Sequence, residues 1–443
     1  MNNKEHTSFF NLSPLGGSWR RGNLWLFLEL IVITIVAWIV FDPAIVNLYY
    51  YSLPMGYDHE QLIYAEATDN IWPDNPNEQT WDHIRTQATS QFESFEEVEN
   101  VYFYKSSFSQ IGINDGACYT VSSGKDTMYL AHIDFYPDIH FFETYGLKPL
   151  PGSPKAEELS KLAEIGRQAV LTRKAAESLF GTTDVLGRHF KHVDKEKGDC
   201  DVTVAGVVEN IRASVSANMQ SIMFVPEKLL WYDIRFIIRL KKDVTPQHFI
   251  AEHGREVKAK GKTEDWRITK LTTFDEFLQQ KELEKGNTQE VNRSLAMALF
   301  FLLNLCLAVI GTVWLQAKCR TEECGVRRAY GATKLRLMLS FLAEGALMAT
   351  IAVIIGCFIF LNYAYSGYIP GTSYGKDYFN AMYYTCCFTP LQDQTWVDHF
   401  WPHFLIVSAV VYFIILCTVL IGTAIPAFKI INGKITEALH DNS

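Results

Sequence analysis

Four long apolar runs separate the polar parts of the chain. They cover residues 24–41, 294–317, 338–365 and 403–425. Each run is close to the roughly 20 residues that an α-helix needs to cross about 30 Å of hydrocarbon. A buried helix of a soluble core would explain one such run but explains four poorly. The pattern therefore predicts a membrane protein with four transmembrane helices.

Basic residues are concentrated in the connectors on one side of the predicted spans. Arg20 and Arg21 precede the first run, six Lys and Arg residues follow the second, and Lys429 and Lys434 follow the fourth. Translocation disfavours basic residues near span ends, so these connectors are expected in the cytoplasm. Both termini are then cytoplasmic. The leader covers 1–23, the basic connector 318–337 and the tail 426–443, whereas 42–293 and 366–402 lie outside.

The large outer segment, residues 42–293, alternates strand-like and helix-like patterns. Thr172 and Gly181 bound a predicted short helix as N-cap and stop, and Thr273 with Glu276 forms a capping box. A further helix is predicted from about Pro246 to Lys260. Strands are predicted at residues 98–111, 126–135, 201–210, where Gly206 interrupts the pattern, 235–242 and 266–273. The mixture indicates an α+β domain. Its size predicts two subdomains, with residues 107–228 inserted into 42–106 plus 229–293.

The outer segment is acidic, since it holds 39 of the 49 acidic residues and 28 of the 40 basic residues. This charge argues against nucleic acid as a partner. Its two cysteines, Cys118 and Cys200, form either a disulfide or two buried free thiols. His189 and His192 near Cys200 lack a reliable metal-ligand spacing, so no metal site is expected.

Catalytic and nucleotide-binding motifs are also missing from the sequence. Gly124-Lys125 is preceded by Tyr119 where a P-loop needs glycine, and Gly261-Lys262 is preceded by Glu256 at that position. A P-loop requires both glycines because its backbone N–H groups wrap the phosphates. We therefore expect no enzyme activity in this chain, no cofactor, and ATP with Mg²⁺ only in a partner.

The cytoplasmic connector contains the segment TEECGVRRAYGATKLRLML, residues 321–339. Glu323 stands four residues before Arg327, the favourable order for a helical ion pair. Val326 and Tyr330 form an apolar strip, and Gly331 allows a bend before the next span. Such a two-faced helix either rests on anionic lipid or docks into a partner protein.

Two carboxylates lie inside the predicted spans, Glu29 in the first and Glu344 in the third. Burying a charge in the bilayer costs about 2–3 kcal/mol at the centre and less near the edge. The simplest interpretation is that each bonds to a neighbouring helix or reaches the interface. Roles in relaying movement from the connector or in proton transport are the alternatives.

The connector and the third span resemble the permease domain of the MacB/FtsX family of ATP-binding-cassette transporter subunits. The resemblance runs from residue 320 to 356, and Cys324 and Tyr330 replace the usual aliphatic residues. The tail resembles the family's ending through Pro426, Ala427, Glu437, Ala438 and Leu439. Residues 140–152, 169–190 and 202–210 resemble the MacB-type extracytoplasmic core. The matching residues of the connector and third span are Glu323, Gly325, Val326, Arg327, Arg328, Ala329, Gly331, Ala332 and Glu344.

The resemblance implies a permease subunit without a fused ATPase, held in a bacterial inner membrane. Family members are mechanotransmitters, which couple ATP hydrolysis by a cytoplasmic ATPase to movement of the periplasmic domain. Some members have this ATPase fused to the permease, whereas here it is expected in a separate chain. The connector is then the ATPase-coupling helix. The implied partners are that ATPase, a second permease in a homodimer or pair, membrane lipid, and a periplasmic adaptor or outer-membrane channel.

The implied tasks are export of a peptide or drug and release of lipoproteins, with control of a cell-wall hydrolase as an alternative. A ligand-sensing membrane protein would need a cytoplasmic output domain, for which only about 20 residues exist at each end. A membrane-bound enzyme would need a polar catalytic cluster that the sequence does not supply.

Overall fold

The computed structural model describes most of the chain. The chain divides into two compact units. One unit is built around residues 47–289, and a helical unit is formed by the chain before and after it. The described residues are 24–69, 86–87, 89–105, 109–111, 113–114, 118–123, 127–137, 140–162, 167–192, 199–212, 215, 221–227, 234–262, 266–284, 286–319, 321–365, 396–397 and 400–432.

The first helix, α1, runs from Leu24 to Ser52, well beyond the end of the apolar run at Phe41. It passes through Pro43, which has no N–H to donate to the preceding turn. Asp42 and Pro43 together look like a helix end in the sequence. The helix continues because Asp42 is buried against a partner side chain, described below, and because residues 44–51 are again largely apolar.

The outer unit is an α+β domain, as predicted. Its described residues form, in chain order, β1 (Leu62–Asp69), β2 (Val98–Lys105), β3 (Ser109–Gln110), β4 (Ile113–Asn114), β5 (Cys118–Ser122), β6 (Thr127–Phe135), α2 (Phe141–Thr144), α3 (Ala156–Ser160), β7 (Gln168–Thr172), α4 (Arg173–Phe180), β8 (His189–His192), β9 (Cys200–Val208), β10 (Ile222–Pro226), β11 (Ile234–Leu240), α5 (Pro246–Lys260), β12 (Trp266–Thr273) and α6 (Phe274–Glu284).

Two sheets organise these strands. An antiparallel sheet has the order β12-β1-β11-β2, and its central strands are almost fully buried beside α5 and α6. A closed barrel has the order β10-β6-β5-β8-β9-β7. The sheet strands come from the two ends of the outer segment and the barrel strands from its middle. An aromatic cluster that includes Tyr64, Phe141 and Phe224 forms one continuous core across both.

Several local predictions are confirmed at the level of single bonds. Thr172 Oγ1 accepts a hydrogen bond from the Ala175 N–H, and Gly181 ends the same helix at φ +71°. The capping box is complete, because Glu276 N–H donates to Thr273 Oγ1 at 3.1 Å and Thr273 N–H donates to the Glu276 carboxylate at 3.3 Å. Both helix starts are therefore fixed by local sequence, as their cap residues indicated.

Two strand predictions differ from the structure. β2 ends at Lys105, whereas the pattern ran to Ile111, and the next described strand, β3, pairs separately with β4. β9 continues through Gly206, with a register shift opposite Ala169 and Val170. A Cβ added at Gly206 would lie 2.6 Å from a methyl group of Leu159. The glycine therefore permits close packing and does not end the strand.

The helical unit continues with α7 (Asn287–Cys319), α8 (Thr321–Ala329), α9 (Lys334–Tyr365) and α10 (Phe400–Asn432). With α1, three of these helices, α7, α9 and α10, are long and apolar enough to cross a membrane. Small residues bring them together: a Cβ at Gly356 would lie 2.6 Å from Thr34, and one at Gly345 would lie 3.1 Å from Thr423. α10 does not stop at Ile425 but passes through Pro426 to Asn432.

Candidate functional site

The short helix α8 lies between two candidate membrane spans and ends in a tight, fully bonded cap. Gly331 N–H donates to the Arg328 carbonyl and Ala332 N–H donates to the Arg327 carbonyl, both at 3.0 Å. Gly331 has φ +91°, and no atom lies within 4 Å of the position of a Cβ. This is a Schellman motif, in which glycine is required by backbone conformation and not by space. The predicted bend at Gly331 is confirmed.

The following helix begins almost immediately. Thr333 Oγ1 accepts a hydrogen bond from the Arg336 N–H at 3.3 Å, which caps the start of α9. The chain therefore changes direction within residues 330–333, and both helix ends at this turn have their backbone groups bonded.

α8 has a buried and an exposed side. Cys324 is 3% exposed, Gly325 is buried, and the helix packs against α10. On the other side, Val326 is 45% exposed and Tyr330 is 89% exposed. An almost fully exposed tyrosine contributes little to folding, so its apolar ring is available to another molecule or to lipid.

The last turns of α10 support the turn after α8. Leu337 of α9 is buried with Ala427 and Ile431 of α10. Lys334 Nζ donates a hydrogen bond to Asn432 Oδ1 at 2.8 Å. These contacts depend on the part of α10 that follows Pro426, which the sequence pattern assigned to the tail. α8, the start of α9 and the end of α10 therefore form one packed cluster.

The remaining predicted coupling residues are only partly defined. Arg327 is exposed and Arg328 is half-buried, and Ala332 packs at the edge of the Leu337 cluster. Glu323 lies within α8, but its side chain is outside the described ones. The predicted ion pair between Glu323 and Arg327 therefore stays a prediction.

The two carboxylates predicted inside the spans, Glu29 and Glu344, are both half-buried. Glu29 Oε2 is buried without a hydrogen-bond partner among the described residues. Glu344 precedes Gly345, whose surface packs on Thr423 and Val419 of α10. Their roles as relay or interface groups stay predictions.

Cys200, one of the two cysteines of the predicted disulfide, has an exposed side chain. Its Sγ lies 3.7 Å from His192 Nδ1. Cys118 belongs to β5 and Cys200 to β9, and β8 lies between these strands in the barrel. Two strand spacings amount to about 10 Å, whereas a disulfide needs Cα atoms within about 7 Å. This spacing argues against the disulfide, which stays a prediction, and the exposure of Cys200 argues against the alternative of two buried thiols. Among the described residues there is no group of three metal-binding side chains.

A buried acid and imidazole pair in the helical unit was missed by the sequence analysis. Asp42 of α1 and His403 of α10 are both 0% exposed, and Asp42 Oδ1 lies 2.6 Å from His403 Nε2. The two residues are 361 positions apart. In the sequence each looks like an ordinary polar residue at the outer end of a span, so no local signal could have paired them.

The segment after α1 is held by two buried arginines of the outer unit, which the sequence also did not indicate. Arg212 donates to the Leu53 carbonyl at 2.5 Å, and burial lowers the pKa of Arg212. Arg239 donates to Asp58 at 2.8 Å and to Glu99 at 3.0 Å. Burial opposes the charge of Arg239, but these two bonds raise its pKa.

A third bond attaches the same segment to α6, the helix that leads towards α7. His59 Nδ1 lies 2.6 Å from Asp275 Oδ1, and this hydrogen bond raises the pKa of His59. The chain that leaves α1 is thus fixed to β11, to the loop after β9 and to the start of α6. Residues 53–59 are therefore bonded into the outer unit.

Two known families match this chain. Residues 55–255 match the MacB-like periplasmic core domain, and residues 295–435 match the FtsX-like permease C-terminal domain. The two matches follow each other without overlap and together cover most of the chain. Among curated proteins, none matches this chain.

Three solved structures are similar to part of the chain. A domain of a permease protein from Porphyromonas gingivalis is 14% identical with a TM-score of 0.30, covering 48% of this chain and 92% of that one. The extracellular domain of the noncanonical ABC-type transporter YknZ from Gram-positive bacteria is 16% identical with a TM-score of 0.27, covering 47% and 100%. The periplasmic region of MacB from Actinobacillus actinomycetemcomitans is 13% identical with a TM-score of 0.30, covering 51% and 94%.

Proposed function

Because the chain belongs to the MacB/FtsX family of permeases, we propose that it couples ATP hydrolysis by a separate cytoplasmic ATPase to movement of its extracytoplasmic domain. The family and the four apolar helices make it a multi-pass protein of the inner membrane. Its termini and α8 are placed in the cytoplasm in this proposal, on the strength of the basic connectors.

The observation that carries the proposal is the surface of α8. Tyr330 and Val326 expose apolar area beside Arg327, on a helix whose opposite side is buried. Tyrosine and arginine are among the side chains enriched at the residues that contribute most to binding in protein interfaces. An exposed surface that combines apolar and basic side chains in this way fits a groove lined by carboxylates. In this proposal the ATPase supplies that groove.

The support beneath α8 favours transmission of force. The bonded turn at Gly331, the Lys334–Asn432 hydrogen bond and the buried Leu337 cluster join α8 to α9 and α10. A docked ATPase that moves α8 would therefore displace these two helices and would not merely bend a loop. An anionic lipid surface would need basic charge but no such support.

ATP and Mg²⁺ would be bound by the partner ATPase, since none of the four Gly-Lys pairs of this sequence has the glycine that a P-loop needs five positions earlier. We further propose that two permease chains work together, as a homodimer or with a second permease, and that the extracytoplasmic domain serves export of a peptide or drug, or lipoprotein release. A periplasmic adaptor or an outer-membrane channel would complete an export pathway. Control of a cell-wall hydrolase is the second candidate function within the same family.

Co-purification of the ATPase tests the proposal. The tagged full-length chain is solubilised from its own membranes and recovered proteins are quantified by mass spectrometry. We expect an ABC ATPase to be recovered, and its yield to fall at least about tenfold in the Arg327→Glu/Arg328→Glu variant, since one lost charged contact costs about 1.5–3 kcal/mol.

The matched control reverses another adjacent basic pair of the same chain. Lys241 and Lys242 are exposed in the outer unit, so Lys241→Glu/Lys242→Glu makes the same charge change away from α8. Its ATPase yield should equal that of the unmodified chain. Equal recovery with the Arg327 and Arg328 variant would overturn docking at α8.

A further inference from the structure

The buried pair of Asp42 and His403 links two membrane helices that are far apart in the chain. Asp42 is 18 residues into α1, about 27 Å along a helix, so it lies near the outer end of that span. His403 is three residues from the start of α10. Ionisable residues inside membrane spans are rare and costly, and they are retained where they bind or position another group.

The hydrogen bonds of this pair fix its proton content. His403 Nδ1 lies 3.0 Å from the carbonyl oxygen of Val397, which can only accept, so Nδ1 has a proton. The Nε2 to Asp42 Oδ1 contact needs a second proton, located on either the imidazole or the carboxyl group. In both arrangements the net charge of the pair is zero. An electroneutral, fully bonded pair is tolerated in a dry environment where a single charge is not.

A second polar bond joins the same two helices one turn away. Trp38 Nε1 donates to Ser408 Oγ at 3.0 Å. The indole of Trp38 also stacks on the His403 ring and on the Phe404 ring, and the Trp396 ring meets the edge of His403. Two polar bonds at successive turns fix the register of α1 against α10, which apolar packing alone does not specify.

We propose that Asp42 and His403 form a clasp that makes α1 and α10 move as one body. This proposal rests on the proposed function. α10 packs under α8, and α1 continues to Ser52 and enters the segment held by Arg212 and Arg239. The clasp is thus the point at which displacement of α10 passes to α1 and onward along the chain. Asp42 and His403 act as positioning residues.

Amide hydrogen exchange of the full-length chain in lipid nanodiscs tests the clasp. Asp42→Leu removes the hydrogen-bond partner and keeps the branching at Cγ, in a larger apolar side chain. Exchange in residues 43–52 and 400–407 should then become about ten- to a hundredfold faster, the effect of losing one bond to a charged or polar buried group. Should this variant fail to accumulate, His403→Phe removes both bonds and keeps the ring stacking.

Two further variants separate the clasp from general packing. Asp42→Asn can donate its amide N–H to Nε2 of a neutral imidazole, so both bonds persist and exchange should remain slow. Thr34→Val removes a buried hydroxyl from α1 whose bond goes to the Leu30 carbonyl of the same helix. It should leave exchange at both segments unchanged. Equal exchange in Asp42→Leu and in the unmodified chain, or acceleration by Thr34→Val to the same extent, would overturn the clasp.

The transmission step is tested in the complex that co-purifies with its ATPase, compared with ADP and with ATP plus vanadate. Nucleotide-dependent exchange should appear in residues 43–52 of the unmodified chain and of Asp42→Asn, and should be lost in Asp42→Leu. The ATPase yield should be the same in all three. A response of Asp42→Leu equal to that of the unmodified chain would refute transmission. If no ATPase co-purified, the proposed function would fail, while exchange in the isolated chain would still decide the clasp.

Discussion

Replacing Gly331 by alanine should weaken binding of the ATPase without disturbing the packing of the protein. The φ of +91° at Gly331 is unfavourable for any residue with a Cβ, at a cost of about 1 kcal/mol. No atom lies within 4 Å of the added methyl group, so no steric clash contributes. The strain therefore weakens the two capping hydrogen bonds, which the N–H groups of Gly331 and Ala332 donate to carbonyl groups of α8.

The chain can relieve this strain by opening the end of α8, but the docked state needs the helix intact. The full penalty then appears in binding, and about 1 kcal/mol corresponds to roughly fivefold weaker affinity. The measurement is equilibrium binding of the recovered ATPase to the permease in nanodiscs. Asparagine tolerates a positive φ better than alanine, so Gly331→Asn should lose less affinity.

Gly187 provides the matched control. It has φ +74° and also has no atom within 4 Å of an added Cβ, but it lies in the outer unit. Gly187→Ala should therefore suffer a similar conformational cost and bind the ATPase as the unmodified chain does. Unchanged affinity of Gly331→Ala, or an equal loss in Gly187→Ala, would refute the reasoning.

Two further predictions concern the segment after α1. Arg239→Leu removes the bonds from a buried guanidinium to the half-exposed carboxylates of Asp58 and Glu99. It should lower the free energy of unfolding of the outer unit by about 1–2 kcal/mol, measured by pulse proteolysis in urea; a loss below about 0.5 kcal/mol would contradict this. The bond to Asp275 raises the pKa of His59 above its unfolded value of 6.5. The bond therefore stabilises the folded state fully below pH 6.5, and this contribution is lost as the pH rises through the higher folded pKa. Stability measured between pH 6 and pH 9 should show this loss, which Asp275→Asn should abolish, and a pH profile unaffected by that substitution would contradict it.

The sequence predicted the parts of the fold that depend on short-range patterns. Apolar runs located the four spans, and Thr273 with Glu276 located a helix start, because hydropathy and capping act within a few residues. The bend at Gly331 was found in the same way. The ends of spans were less predictable: Asp42 and Pro43 look like a helix end only until His403 is seen to satisfy Asp42.

Long-range pairing could not be predicted from this single sequence. Nothing near Arg239 indicates that Asp58 and Glu99 converge on it, since their strands meet only when the sheet forms. The support of α8 by Asn432 was missed because Pro426 suggested the end of α10. The candidate disulfide could not be judged from the sequence for a related reason, since the strand order of the barrel, with β8 between the strands of the two cysteines, is a long-range property.

The most direct test of the account is photo-crosslinking from position 330 in intact cells. A photoreactive phenylalanine analogue replaces Tyr330, whose side chain is 89% exposed on α8, and the same analogue at Lys242 in the outer unit serves as control. The account predicts an adduct with an ABC ATPase from position 330 and none from position 242. An ATPase adduct from neither position, or crosslinks from 330 only to lipid or to extracytoplasmic proteins, would contradict it.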